Sequence, residues 1–376
     1  MNKLLTVISL ITFVSCTAFS SPSKPFKKAL VIGGGGITPG VALGMIAGAK
    51  DAGYNPDVIL AACGASLGAA LYGSFSSPKE ALKYAKSEEF YLRFQKLVRL
   101  GAWSALGLKN KMQTVLANPK NLPEIFEGNI LKIPNEAQGL LPSEKFPLSK
   151  NKSRLIILAA RASFGPEHQG KDTGTGSLFR ESYLTDAATA NELRGFESPV
   201  KKSFPYSRVD RKTEVRSDVA LSQAVRASIT DPFYVNPTRI GNSYYWGGAV
   251  DLFPVETAQH LAEEVLMNFP GGLYNRFEDL AISSTYGFAQ SDRTTEVSRL
   301  NDIKWIDTSG SHELGLDPGL FGVLFINRFP SSHEKFAYII QKQFNLGYAR
   351  AVEAVRLQKN RVNVRTHLRH TEVGRQ

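Results

Sequence analysis

Two apolar runs of strand length, each passing through a glycine-bearing turn into a helical pattern, constrain this 376-residue chain more than any other feature. Ala29-Leu30-Val31-Ile32 closes on Gly33-Gly34-Gly35-Gly36. About one strand–helix–strand unit later, Asp57-Val58-Ile59-Leu60-Ala61-Ala62-Cys63 closes on Gly64-Ala65-Ser66-Leu67-Gly68, and Ala69-Ala70-Leu71 begins a helical pattern. Short, nearly continuous apolar runs read as buried strands. Alternation of such strands with helices predicts an α/β domain with a mainly parallel sheet between helices.

The second turn is a Gly-x-Ser-x-Gly sequence in a strand–turn–helix setting, which makes Ser66 a candidate nucleophile at a helix N-terminus; the competing reading is a tight structural turn. The four-glycine loop has no side chains to block its N–H groups, so several of them can converge on one oxyanion. A phosphate-cradling loop is the alternative. No Lys-Ser/Thr pair follows, which argues against a P-loop, and the second strand leads into the serine turn, not to an acidic ribose-binding residue.

Further on stand Arg226-Ala227-Ser228 with Pro232, and then Tyr244-Tyr245-Trp246-Gly247-Gly248-Ala249-Val250-Asp251-Leu252-Phe253-Pro254-Val255. As an ordered set over residues 27–260, these motifs resemble the patatin-like phospholipases, in which a glycine-rich oxyanion loop, a Gly-x-Ser-x-Gly elbow and a late Asp-Gly-Gly motif follow one another. The resemblance implies a three-layer α/β/α fold and a lipid acyl hydrolase; the sequence shows no metal-ligand pattern, and no cofactor or metal is expected. The resemblance further implies a lipid or phospholipid substrate, Ser66 as nucleophile, Gly33, Gly34, Gly35 and Gly36 as oxyanion donors, and Gly64, Gly68, Gly247 and Gly248 as motif glycines. Two positions depart from the pattern. Thr38 and Pro39 stand where the family usually has Arg or Lys and Gly, and Trp246 stands where the catalytic aspartate belongs. An indole N–H donates and cannot accept the serine proton. Asp231, before Pro232, is the first candidate for a substitute base, with turn initiation as its structural alternative. Asp251 is the weaker candidate, at a position the family often fills for structural hydrogen bonding. The alternative function is a degenerate patatin-like protein that binds lipid without efficient hydrolysis. A Ser…Asp…His triad using Asp251 with His260, or Asp317 with His333, fits poorly, since α/β-hydrolases usually place several strands before the nucleophile.

The start Met1-Asn2-Lys3, the apolar stretch from Leu4 to Val14 and the small residues after it follow the plan of a secretory signal peptide over residues 1–20. Cleavage after Ser20 and a lipoprotein-type cut before Cys16, which would lipidate that cysteine, both fit. Export to the periplasm or outer membrane follows. Cys16 and Cys63 are the only cysteines, so no intrachain disulfide is expected. The net charge of +11 then points to an anionic membrane surface and not to nucleic acid. Residues 79–112 read as mainly helical, 118–152 as an irregular connection, 154–160 as a strand, and 163–217 as a lid or surface excursion. Residues 261–358 read as a continuation of the same domain ending in a helix over 336–357, followed by a basic tail at 359–376 containing Lys359, Arg361, Arg365, Arg369 and Arg375.

Overall fold

The computed structural model describes residues 23–97, 99–100, 117, 121–127, 131–133, 141–148, 152–172, 176–271, 276–300, 302–316, 319–321, 324–326 and 329–359. The leader with Cys16, Trp103, Asp317 and the tail beyond Lys359 therefore lie outside the described residues. The central sheet comprises β1 (Phe26–Ile32), β2 (Val58–Ala62), β3 (Arg154–Ala162), β4 (Phe179–Leu184), β5 (Glu214–Arg216), β6 (Thr238–Ile240), β7 (Ser243–Trp246), β8 (Ala262–Phe269) and β9 (Ile303–Asp307). Their order is β9-β8-β1-β2-β3-β4-β5, with β7 added to β3 and β6 to β7. From β9 to β3 every pairing is parallel, with Leu30 opposite Ile59 and Ile59 opposite Leu155.

Alternation along the strands explains why helices cover both faces. Leu30, Ile32, Ile59 and Ala61 enter one apolar cluster while Ala29, Val31, Val58 and Leu60 enter another. Each strand therefore buries both sets of side chains, as parallel strands do. The first face receives α1 (Pro39–Asp51), α2 (Ala65–Ser74), α3 (Pro78–Ala85), α4 (Glu88–Leu97) and a long C-terminal helix, and the second receives α6 (Val255–Leu261) and Val297 of α8 (Gln290–Ser298). Between them in the chain come α5 (Leu221–Ser228) and α7 (Arg276–Tyr286), and α9 (His333–Lys359) is the long helix. The fold is the expected mainly parallel, three-layer α/β/α arrangement. A Cβ at Gly44 would collide with the Phe344 carbonyl, and one at Gly347 with that of Val41, so glycine lets α1 and α9 pack backbone to backbone.

The stretch 163–217 is not simply a lid or surface excursion. It contributes β4, antiparallel to β3, and β5, parallel to β4. The polar composition misled because Glu181 and Ser182 are fully buried strand residues, Ser182 donating to Glu214 over 2.9 Å. The helical stretch after residue 79 divides into α3 and α4, whose Phe90 and Phe94 face the core against Phe336 of α9. In the irregular connection, Ile125 and Phe126 are buried in a third cluster around Trp246.

One topological detail positions the site. Val58–Ala62 pairs with residues 154–158 of β3 and then leaves the sheet; beyond it, Trp246 and Tyr245 pair with Ala160 and Arg161. The other edge of β3 is occupied there by β4, so β7 takes the edge that β2 vacates. The segment after Trp246 is thereby delivered to the β2–α2 turn.

Candidate active site

The β2–α2 turn reverses the chain within two residues. Cys63, directly after the strand, has φ 53°, one of two non-glycine residues with positive φ among those described. A side chain in this left-handed region costs roughly 1–2 kcal/mol, so the surrounding packing must enforce it. Gly248 contributes to that packing: a Cβ there would lie 2.7 Å from the Cys63 nitrogen. The helix starts at Ala65, which makes Ser66 its second residue rather than the apex of the turn. Ser66 is fully buried, and its hydroxyl donates a 2.7 Å hydrogen bond to the Cys63 carbonyl. Gly64 and Gly68 serve close packing, a Cβ at the first meeting the Gly36 carbonyl and one at the second that of Pro39.

The glycine loop lies against this turn. A Cβ on Gly34 would come within 3.3 Å of the Cys63 Cβ. Two of the four expected oxyanion donors are already committed: the Gly33 N–H donates to Asn268 Oδ1 over 2.6 Å and the Gly34 N–H to the Leu252 carbonyl over 3.2 Å. These bonds hold the loop to β8 and to the segment after β7. Gly35 and Gly36 are the partly exposed members, and their N–H groups make no hydrogen bond among the described residues. The usable donors are therefore Gly35 and Gly36. Thr38 is buried beside them and brings no cation.

The two candidate carboxylates have separate environments. Asp231 is half-buried after α5, and its Oδ2 lies 3.7 Å from the Cys63 Sγ, within reach of an S–H donor. Arg226 braces this loop, donating from one guanidinium nitrogen to the carbonyls of Ile133 and Asn236, both over 2.8 Å, and from the other to Thr230 Oγ1. Burial pushes its pKa down to about 9, which still leaves it charged at neutral pH. Gly247 approaches the same loop, its N–H donating to the Thr230 carbonyl. Asp251 instead is fully buried and held in a two-pronged ion pair by Arg293, with 3.1 Å from Oδ1 to Nε and 3.1 Å from Oδ2 to an Nη, and it also accepts the Phe253 N–H. Glu256 and Glu296 share the same guanidinium. Burial first, and the Asp251 charge second, hold the neighbouring Glu181 carboxyl well above the usual carboxylate range. Asp251 is thus committed to a structural ion pair that fixes the segment between Gly248 and Pro254.

Trp246 is fully buried in an aromatic cluster, its ring edge-on to Phe126 at 4.7 Å between centroids and stacked on Phe164 at 6.2 Å. In the same cluster Tyr286 contributes a buried hydroxyl with no hydrogen-bond partner among the described residues. Burial first, and then the electrostatic influence of Asp231 and Cys63, push its pKa well above that of a free phenol. The sequence motifs missed Cys63, which passes for the last residue of an apolar strand, and Tyr286, which nothing local distinguishes.

The two histidines that a triad would need are elsewhere. His260 packs on Phe196 with its Nε2 3.3 Å from the Glu192 carbonyl, and the Nε2 of His333 lies 2.8 Å from that of Lys86. Neither is brought to the turn. No group of three or more His, Cys, Asp or Glu residues suited to a metal occurs among the described residues.

The family model described as patatin-like phospholipase matches residues 30–258, which takes in the glycine loop, the elbow, Asp231 and the segment after Trp246. No curated protein sequence matches the chain. Among solved structures, VipD from Legionella pneumophila aligns over 88% of this chain and 67% of its own at 12% identity, with a TM-score of 0.36. At that score the similarity carries no argument about the site.

Proposed function

The chain belongs to the patatin-like phospholipase family, and on that premise we propose that it is an exported, membrane-associated lipid acyl hydrolase whose reaction takes place between the glycine loop and the β2–α2 elbow. The observation that carries this reading is the meeting of three parts: an elbow side chain, the Asp231 carboxylate beside it, and the partner-free N–H groups of Gly35 and Gly36. Acyl transfer needs a nucleophile, a proton acceptor and fixed donors for the oxyanion. Two side chains on the elbow meet the first need, the Ser66 hydroxyl that the sequence motif singles out and the Cys63 thiol at the turn. Asp231 is the base. Its reach to the elbow supports it over Asp251, whose oxygens are engaged by Arg293. The leader sequence and the +11 net charge support export and an anionic membrane surface as the place where the lipid is met. The second reading, lipid binding without hydrolysis, draws on Trp246 at the family's aspartate position. Turnover of a short-chain nitrophenyl ester separates the two. Wild type is expected to hydrolyse it, and Asp231→Asn to lose roughly a hundredfold or more with folding retained. A folded wild type that binds lipid vesicles and releases no alcohol would favour the binding protein.

A further inference from the structure

The elbow holds a thiol where the sequence motif directs attention to a hydroxyl. Cys63 is the residue at which the strand ends and the left-handed turn is made, whereas Ser66 lies a further three residues along, inside the helix. The hydroxyl of Ser66 points back to the Cys63 carbonyl, a bond that holds the turn. The side chain of Cys63 lies against Gly34 and within 3.7 Å of Asp231 Oδ2. The N–H of Gly64, the residue after it, makes no hydrogen bond among the described residues, and neither do those of Gly35 and Gly36. In strand–turn–helix hydrolases the N–H after the nucleophile is one of the two oxyanion donors. An independent observation also points to a ligand here: the fully buried Tyr286 hydroxyl, in the cluster that also holds Phe233 and Trp246, has no hydrogen-bond partner among the described residues. A substrate oxygen entering beside the thiol would supply one. The N-terminus of α2 stabilises a thiolate at this position.

We propose that Cys63 Sγ is the attacking atom of this site, with Asp231 as its proton acceptor and Ser66 as a residue that positions the turn. The proposal rests on the hydrolase reading above. The thiol proton passes to Asp231 as the sulfur–carbon bond forms, and the oxyanion is held by the backbone N–H groups of Gly64, Gly35 and Gly36. Collapse of the intermediate breaks the ester carbon–oxygen bond, and the alcohol leaves with the proton from Asp231. Water then attacks the thioester and gives a proton to Asp231, the sulfur–carbon bond breaks, and the thiolate is reprotonated as the fatty acid departs. No oxidant or cofactor is required.

The test uses the full chain with p-nitrophenyl butyrate. After an acid quench, fragment-ion mass spectrometry locates the acyl group, and neutral hydroxylamine distinguishes a thioester, which it cleaves readily, from an oxygen ester, which it leaves. The expected result is a hydroxylamine-labile adduct on Cys63 that persists in Ser66→Ala and is lost in Cys63→Ala. Iodoacetamide should block it in wild type, so the result does not depend on Cys63→Ala folding. Cys63→Ser should carry a hydroxylamine-resistant adduct at the same position. An adduct on Ser66, or Cys63→Ala turnover within a few-fold of wild type, overturns the thiol assignment and leaves the hydrolase reading standing. A folded wild type that forms no adduct and releases no nitrophenol overturns both.

Discussion

Replacing Asp251 by Asn keeps the side-chain size and removes a charge that the structure uses for folding and not for chemistry. Both Asp251 and Arg293 are fully buried, and the pair makes two hydrogen bonds of 3.1 Å. Breaking a buried ion pair from one side costs about 3–5 kcal/mol, because the remaining charge stays desolvated without its partner. Here Arg293 keeps Glu256 and Glu296, whose side chains are 26% and 36% exposed, so the lower figure applies. A loss of about 3 kcal/mol is a large share of the roughly 5–15 kcal/mol that holds a domain folded. For a domain of this size it corresponds to a fall of about 4 °C in Tm. Arg293→Met should cost more, since it strands Asp251 close to Glu256 and Glu181. The assay is urea unfolding followed by circular dichroism, run beside ester turnover corrected for the folded fraction. Asp251→Asn should move the midpoint and leave corrected turnover within a few-fold of wild type, the reverse of Asp231→Asn. The reasoning fails if Asp251→Asn unfolds at the wild-type midpoint, or if its folded fraction is as inactive as the Asp231 variant.

Three further outcomes follow from the same geometry. Glu181 has a folded pKa raised above its unfolded value, so its contribution to stability is full below about pH 4.3 and is lost as pH rises through the folded pKa; Glu181→Gln should therefore gain in Tm over wild type as the pH is raised from 5 to 8, and an unchanged difference across that range would refute it. Trp246→Asp, which restores the family residue, should not rescue turnover, because it removes a ring packed on Phe126, Phe164 and Phe179 and buries a carboxylate; a loss of about 3–5 kcal/mol in urea unfolding is expected, and a stable variant with sharply raised turnover would contradict the account. Gly44→Ala should lower Tm by separating α1 from α9 while leaving acyl-adduct formation intact at a temperature where the variant is folded, which thermal melts and labelling of the same sample would check.

The nearly continuous apolar runs of β1, β2 and β3 and the turns that end the first two made the mainly parallel sheet and the neighbourhood of the site legible from the chain. Local pattern could not reveal pairings between distant segments. The strand at 179–184 was hidden because its Glu181 and Ser182 are buried, Ser182 against Glu214 of a strand more distant in the chain, and polar residues in a connection read as surface. Asp231 was identifiable from its place in an Ala-Ser-Pro segment, but the clamp that removes Asp251 from consideration depends on Arg293, which no motif marks. The glycine loop was read as four equivalent donors, yet Asn268 and Leu252 occupy two of them. The offset between Gly-x-Ser-x-Gly and the turn itself is a matter of three residues. Only the position where φ becomes positive, Cys63, shows where the strand gives way to the helix.

The central claim is that the elbow, Asp231 and the Gly35–Gly36 amides together hydrolyse a lipid ester. It is tested most directly by incubating the full chain with vesicles of phosphatidylcholine and phosphatidylglycerol and following free fatty acid and lysolipid by mass spectrometry, with Asp231→Asn alongside. The account predicts steady release of both products by wild type and a loss of roughly a hundredfold or more in the variant. Wild-type protein that binds the vesicles and leaves their lipids intact, or an Asp231→Asn protein that releases fatty acid at the wild-type rate, would contradict it.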